Sequence, residues 1–330
     1  MPKAKITALG CYTPSRVLTN QDLESMVATN DRWIVERTGI RERHIAPPEI
    51  ATSDMAIAAA RCALAQRGID ASGIDAIIVC TVTPDMFFPA TACLVQNALG
   101  ARRAWGFDLV AACSGFVYGT TTAAHLVAAG THRRVLVIGS DTMSRIIDYT
   151  DRSTCILFGD AAGAMLIESA AEEEDFTFID FLGEIDGSGG EYLKMPAGGS
   201  RLPASHETVE RRLHYVHQEG QQVFKYAVRK MYESCKELLD RNGLTSRDVG
   251  ILIPHQANGR IISATAERLA LPPDKVLINI DRYGNTTAAT IPLATQDAIH
   301  QGRLRKGDLV MFAAVGAGYT VGASLWRWAY

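Results

Sequence analysis

Cys113 lies within Asp108-Leu-Val-Ala-Ala-Cys-Ser-Gly-Phe116, between an apolar run and a stretch of small residues. The hydrophobic rhythm predicts a buried strand over 105–110 and a packed helix over 114–129. A cysteine at that junction sits at the positive end of a helix macrodipole, where backbone N–H groups favour the thiolate. It is a candidate nucleophile. A free cysteine more often packs as a small hydrophobe, so its companions decide the matter.

Two companions stand out. In Ile251-Leu-Ile-Pro-His-Gln-Ala-Asn-Gly-Arg-Ile261 an apolar strand ends in Pro254 and His255 before a helix begins. Asn285 lies in Asp281-Arg-Tyr-Gly-Asn-Thr-Thr-Ala-Ala289, another passage into small residues. Cys, His and Asn in that order permit two reaction classes. In a thiol hydrolase the histidine activates the cysteine, the asparagine orients the imidazole, and water cleaves the acyl-enzyme. In a condensing enzyme His and Asn both donate hydrogen bonds to a thioester oxygen and stabilise the enolate left by decarboxylation.

The elements that position these residues read as a duplication. Ala65-Gln-Arg-Gly-Ile-Asp-Ala-Ser-Gly-Ile-Asp-Ala-Ile-Ile-Val79 resembles Leu239-Asp-Arg-Asn-Gly-Leu-Thr-Ser-Arg-Asp-Val-Gly-Ile-Leu-Ile253, each a helix end, a turn and a buried strand. Ile6–Gly10 matches Ile179–Gly183, a shift of 173 (179 − 6), and Arg134–Gly139 matches Asp308–Ala313, a shift of 174 (308 − 134). Gly159–Ile167 echoes Gly318–Trp326. A repeat this long suits a duplicated α/β domain with sheets buried on both faces, not a solenoid. The halves are expected at 1–172 and 173–330, joined by the acidic Ala170-Ala-Glu-Glu-Glu-Asp175. The Gly- and Pro-rich segment 187–219 lacks a counterpart and reads as an inserted loop or cap. A shift of 172 carries Cys113 onto Asn285 (285 − 113) and predicts two helix starts facing one pocket across a pseudo-twofold axis. The pattern favours the condensing class.

Composition limits the alternatives. Net charge −3 and a pI near 6.3 argue against nonspecific nucleic-acid binding. Seven cysteines with neither a CxxC pair nor zinc-like spacing suggest no disulfide framework and no metal site. The N-terminus runs into a strand pattern without an apolar signal core, and no apolar run approaches the roughly 18 residues that span a bilayer, so a cytoplasmic, membrane-free protein is expected.

With these motifs the chain resembles the β-ketoacyl-acyl carrier protein synthase III family of the thiolase-like superfamily. The resemblance runs through Asn30-Asp-Arg-Trp-Ile-Val-Glu-Arg-Thr-Gly-Ile-Arg-Glu-Arg-His44, Ala111-Ala-Cys-Ser-Gly-Phe116, Thr150–Cys155, Phe158-Gly-Asp160, His255-Gln-Ala-Asn258 and Tyr283-Gly-Asn-Thr286. It implies a duplicated thiolase-like fold layered αβαβα, an acyl-CoA primer loaded on Cys113, and decarboxylative condensation with malonyl-acyl carrier protein, without a cofactor. By the same resemblance, Cys113 and Ala317 supply the backbone oxyanion hole. His255 and Asn285 polarise the malonyl thioester. Trp33, Arg37, Arg152 and Asn258 receive coenzyme A. Gln256, Arg260 and Lys225 face acyl carrier protein, together with Arg229 and Lys230 on the same helix. Phe87, Phe88 and Val315 line the acyl pocket, the phenylalanines from across a homodimer interface.

Where the family commonly shows Phe-Gly-Gly-Gly-Phe-Thr-Trp-Gly, this chain has Val315-Gly-Ala-Gly-Tyr-Thr-Val-Gly322, and Ala317 would be strained if it needed a positive φ. Gly259 and Ala161 also depart from the family pattern. These changes leave open a related condensing enzyme or acyltransferase with another primer. A thiol hydrolase and a noncatalytic acyl-binding protein are the remaining rivals.

Overall fold

A computed structural model describes residues 3–330. Its first sheet contains β1 (Lys3–Tyr12), β2 (Ala76–Cys80), β3 (Trp105–Leu109), β4 (Arg134–Asp141) and β5 (Ala161–Ala170), in the spatial order β1-β5-β4-β2-β3. The second contains β6 (Phe178–Ile185), β7 (Ile251–Pro254), β8 (Leu309–Gly316) and β9 (Thr320–Arg327), in the order β7-β8-β9-β6. In each, a parallel core pair (β2 with β4, β7 with β8) continues into antiparallel neighbours. An isolated parallel bridge between Leu252 and Val276 marks where β3 would have its counterpart.

The helices repeat as well. The first half carries α1 (Asp31–Thr38), α2 (Thr52–Arg67), α3 (Thr91–Leu99) and α4 (Gly115–Ala128). The second carries α5 (Gly220–Arg241), α6 (Gly259–Arg268) and α7 (Thr290–His300). Helices α2 and α3 pack on the outer face of the first sheet, and α5 and α6 on that of the second. Between the sheets lie α4 and α7, whose Phe116, Val117, Ile291 and Ala294 share one core with residues of both sheets. This is the expected αβαβα layering.

The sheet registers refine the repeat. Ala76 pairs with Val135 and Ile251 with Val310, the same register in both halves (135 − 76 and 310 − 251 are both 59), and the strands holding these pairs begin 175 residues apart (251 − 76; 309 − 134), one residue more than the matched letters suggest. One expectation fails: β3 is an edge strand, not a buried one. Trp105 is 49% exposed and Val110 just beyond it 74%. Its composition matches that of an interior strand because its outer edge and face are apolar too.

The inserted segment is ordered. Strands Leu193–Lys194 and His217–Gln218 pair, a short helix spans His206–Glu210, and the Val216 N–H donates to Ile146 O at 2.8 Å. The Arg212 guanidinium donates to Asp148 and holds that carboxyl well below the usual carboxylate range. The insertion is a cap fastened over the first half.

Candidate active site

After β3 the chain turns sharply, with Ala112 at φ +46°, and places Cys113 buried just before α4. The turn is clamped to β9. Ser114 Oγ donates to Thr320 O at 3.0 Å, and Thr320 Oγ1 donates to Ala111 O at 2.9 Å. The end of β8 abuts it so closely that a Cβ on Gly316 would lie 2.8 Å from the Cys113 nitrogen and 3.1 Å from Ala111 O. Glycine there keeps the Cys113 N–H open. The strain foreseen at Ala317 is absent, because the positive φ falls on Gly318, at +138°.

Burial pushes the Cys113 thiol up to about 12, and the Asp141 carboxylate adds to the rise, while the residue's own N–H opposes both. Burial thus favours the thiol form of Cys113, against the expectation that the helix end would favour a thiolate. Desolvation outweighs a terminal dipole in a site this enclosed.

His255 follows directly on β7, donating its backbone N–H to Ala313 O at 2.7 Å. Its ring is fully buried. Nδ1 lies 2.7 Å from Thr290 Oγ1, and Nε2 has no partner. Burial lowers its pKa to about 3, so the imidazole is neutral at physiological pH. Asn285 is held by its backbone, donating to Leu157 O at 2.8 Å and accepting from Gly159 N at 3.1 Å. Its side-chain Oδ1 accepts from Thr287 N at 2.9 Å, which leaves the Nδ2 end for a ligand.

The turn after Asn285 ties these groups together: the Thr287 N–H donates to the asparagine, the Thr290 hydroxyl bonds the histidine, and Ala288 packs with α4 in the shared core. Beneath it is Asp141, wholly buried at the end of β4. One Asp141 oxygen accepts from Thr81 Oγ1 (2.9 Å), Val82 N (2.8 Å), Thr83 N (3.2 Å) and Thr83 Oγ1 (3.0 Å). The other accepts from the Thr287 hydroxyl. Sequence reasoning missed Asp141, Thr287 and Thr290; the one visible signal was a charged residue closing the apolar run Val135–Asp141.

The equivalence of Cys113 and Asn285 also needs correction. Ala112 and Thr287 share a positive φ, at +46° and +50°, so the two turns match at a shift of 175 (287 − 112). The structural counterpart of Cys113 is therefore Ala288, and Asn285 lies one short segment upstream. The two helix starts do face each other as expected.

Around the site, the Arg37 and Arg152 guanidinium carbons lie 4.9 Å and 4.7 Å from the centre of the Trp33 ring. These three residues come together. Asn258 joins them to α6: its Nδ2 donates to Arg37 O at 3.0 Å and its Oδ1 caps Arg260 N at 2.9 Å, so both amide ends are occupied. Arg260 and Lys225 are exposed. Gln256 is not available to a carrier protein. It is 1% exposed, with Nε2 donating to Pro254 O and Leu277 O and Oε1 accepting from Asn279 N. Lys230 is taken up by Glu184 at 2.7 Å. Phe87 and Phe88 are 83% and 85% exposed, whereas Val315 is buried within β8. Among the described residues, no group of three or more His, Cys, Asp or Glu is arranged to hold a metal, and no helix is long and apolar enough to cross a membrane.

A duplicated α/β fold that brings a cysteine turn, a histidine and an asparagine together defines a thiolase-like condensing enzyme of the acyltransferase class. Residues 107–187 match the family described as 3-oxoacyl-[acyl-carrier-protein] synthase III, and residues 239–328 match its C-terminal part. A β-ketoacyl-[acyl-carrier-protein] synthase III from Solibacter usitatus is 77% identical over the full length of both chains. Another from Koribacter versatilis is 58% identical over 99% of this chain and 98% of its own. The crystal structure of the Aquifex aeolicus 3-oxoacyl-[acyl-carrier-protein] synthase III superimposes with a TM-score of 0.90 at 43% identity, covering 98% of this chain and 100% of that one. The chain belongs to the β-ketoacyl-acyl carrier protein synthase III family, whose condensation initiates fatty acid synthesis.

Proposed function

We propose that Cys113, His255 and Asn285 carry the reaction in two balanced stages. In the first, the Cys113 sulfur attacks the carbonyl carbon of an acyl-CoA, the carbon–sulfur bond to coenzyme A breaks, and the thiol proton leaves on coenzyme A. The Cys113 and Ala317 N–H groups hold the oxyanion; preorganised donors of this kind are each worth about 3 to 4 kcal/mol. In the second, His255 and Asn285 donate to the thioester oxygen of malonyl-acyl carrier protein. Carbon dioxide departs, the resulting carbanion attacks the acyl carbon, and the Cys113 thiolate leaves and recovers a proton from water. No cofactor is called for. The observation that carries the reading is the pair of free polar ends, His255 Nε2 and Asn285 Nδ2, whose opposite ends are fixed to Thr290 and Thr287.

Arg37, Arg152 and Trp33 receive the nucleotide of coenzyme A by stacking and charge, with Asn258 holding the helix that bears Arg37. Arg260 and Lys225 offer cationic contacts to acyl carrier protein, an acidic partner, an assignment that salt dependence and charge reversal test. The enzyme acts in the cytoplasm as a homodimer, with no nucleic-acid or membrane partner. Support for the dimer comes from the exposed Phe87 and Phe88 and from the open apolar edge of β3. Phe87 and Phe88 then close the acyl pocket of the partner subunit, with Val315 shaping the same pocket; a monomer in ultracentrifugation at micromolar concentration rules this out. The halves 1–172 and 173–330 carry the nucleophile and the two donors respectively.

The test is intact-protein mass spectrometry of wild type and Cys113→Ala mixed with acetyl-, branched- and long-chain acyl-CoA, followed by malonyl-acyl carrier protein. A Cys113-dependent adduct should form and then vanish with release of carbon dioxide and a ketoacyl product, and the primer loaded fastest defines the physiological acyl group. An adduct that persists with malonyl thioester, or hydrolyses without it, sinks the assignment.

A further inference from the structure

We infer that the Thr290 hydroxyl sets the tautomer of His255, giving its proton to Nδ1 so that Nε2 carries the ring hydrogen. Thr290 opens α7, and its Oγ1 is the sole polar atom bonded to His255 Nδ1, at 2.7 Å. A hydroxyl has one proton, and here two acceptors compete for it: Nδ1 and the Thr287 carbonyl oxygen 3.0 Å away. The carbonyl already accepts the Thr290 backbone N–H. Nδ1 has nothing else. The separations point the same way, since bonds donated by a hydroxyl run shorter than bonds donated by a ring N–H, whose usual length is about 2.9 to 3.0 Å.

The consequence falls on the far nitrogen. Nε2 is buried and unpartnered in the site. No carboxylate touches the ring to hold a second proton there, and burial keeps the imidazole neutral. A neutral ring has one hydrogen to place, and the Thr290 hydroxyl places it where a thioester oxygen can use it. Thr290 is thus a positioning residue, acting through His255. Its importance to catalysis rests on the condensing reading, which is what requires Nε2 to donate.

The two readings are separated by measuring the tautomer directly. Long-range proton–nitrogen NMR on the full-length enzyme labelled at histidine, with the His255 signals identified by their loss in His255→Asn, should show Nε2–H in the wild type. Thr290→Ser keeps the hydroxyl and should keep that pattern. Thr290→Val keeps the shape, loses the proton donor, and should move the ring to Nδ1–H or a mixture. Its kcat for malonyl thioester condensation should fall about 10- to 100-fold, less than the roughly 100- to 1,000-fold that follows outright loss of one oxyanion donor, with little change in KM, and serine should rescue it. Wild-type enzyme in the Nδ1–H form overturns the inference, and that spectrum decides even if Thr290→Val fails to fold. So does a folded Thr290→Val that retains Nε2–H. A wild-type enzyme that fails to condense any primer would refute the condensing reading while leaving the tautomer measurement intact.

Discussion

The two turns that meet at the centre of the molecule share most of their backbone angles and carry opposite loads. Ala111 and Thr286 have ψ of 29° and 26°, and Ala112 and Thr287 have φ of +46° and +50°. Ser114 and Ala289 share φ −82°. The first turn presents a cysteine and is clamped from outside, by Thr320 and by the close approach of Gly316. The second presents alanine at the matching place and uses its own side chains as supports: Thr287 on Asp141, Thr290 on His255. The duplicated geometry has diverged into a copy that carries the proposed nucleophile and a copy that serves as scaffold. Left-handed backbone at a non-glycine residue, worth about 1 to 2 kcal/mol of strain, survives in both because packing and hydrogen bonds over-determine it.

The sharpest way to break this contrast is to crowd the reactive turn. Gly316→Ala puts a Cβ 2.7 Å from Thr320 Oγ1 and 2.8 Å from the Cys113 nitrogen, so Cys113 acylation followed by stopped-flow mass analysis should slow about 100-fold or more. An acylation rate within twofold of wild type would show that the Cys113 N–H is not the oxyanion donor.

The supporting turn is tested through pH. His255 is held down to about 3 in the folded protein against an ordinary value near 6.5, so the unfolded chain takes up a proton that the folded one refuses. Its contribution to stability is complete above about pH 6.5 and declines as pH falls toward 3, by up to about 1.4 kcal/mol per unit. Urea unfolding should show the stability difference between wild type and His255→Asn shrinking over that window. A difference independent of pH would mean the ring is already charged.

The smallest effects come from glycine at the two left-handed positions. Ala112→Gly relieves strain and adds unfolded-state entropy in comparable amounts, so stability should change by less than about 0.5 kcal/mol. Thr287→Gly also loses the hydroxyl bond to Asp141 and should cost about 2 kcal/mol in the same urea titration. Equal values would erase the distinction between the copies.

Cys113, His255 and Asn285 stood out because the proposed chemistry needs these residue types at strand ends, and the duplication was legible because buried strands repeat their apolar runs. What escaped depends on three-dimensional neighbours. Asn285 aligned with Cys113 because matching letters do not fix the register of a turn. β3 read as buried because an apolar edge has the composition of an interior strand. Gln256 read as a surface contact because a polar letter does not show that three backbone groups satisfy it. The thiol read as ionised because the helix end is visible in the sequence, whereas the competing burial is not.

Asp141 joins residues 81–83 of the first half to Thr287 of the second. Whatever gene duplication produced the chain, its two products have since become mutually dependent. A first half cut free would keep a buried acid that has lost its partner and a bare face on α4, and a second half would lack the floor beneath its turn. Symmetry survives here as ancestry; autonomy does not.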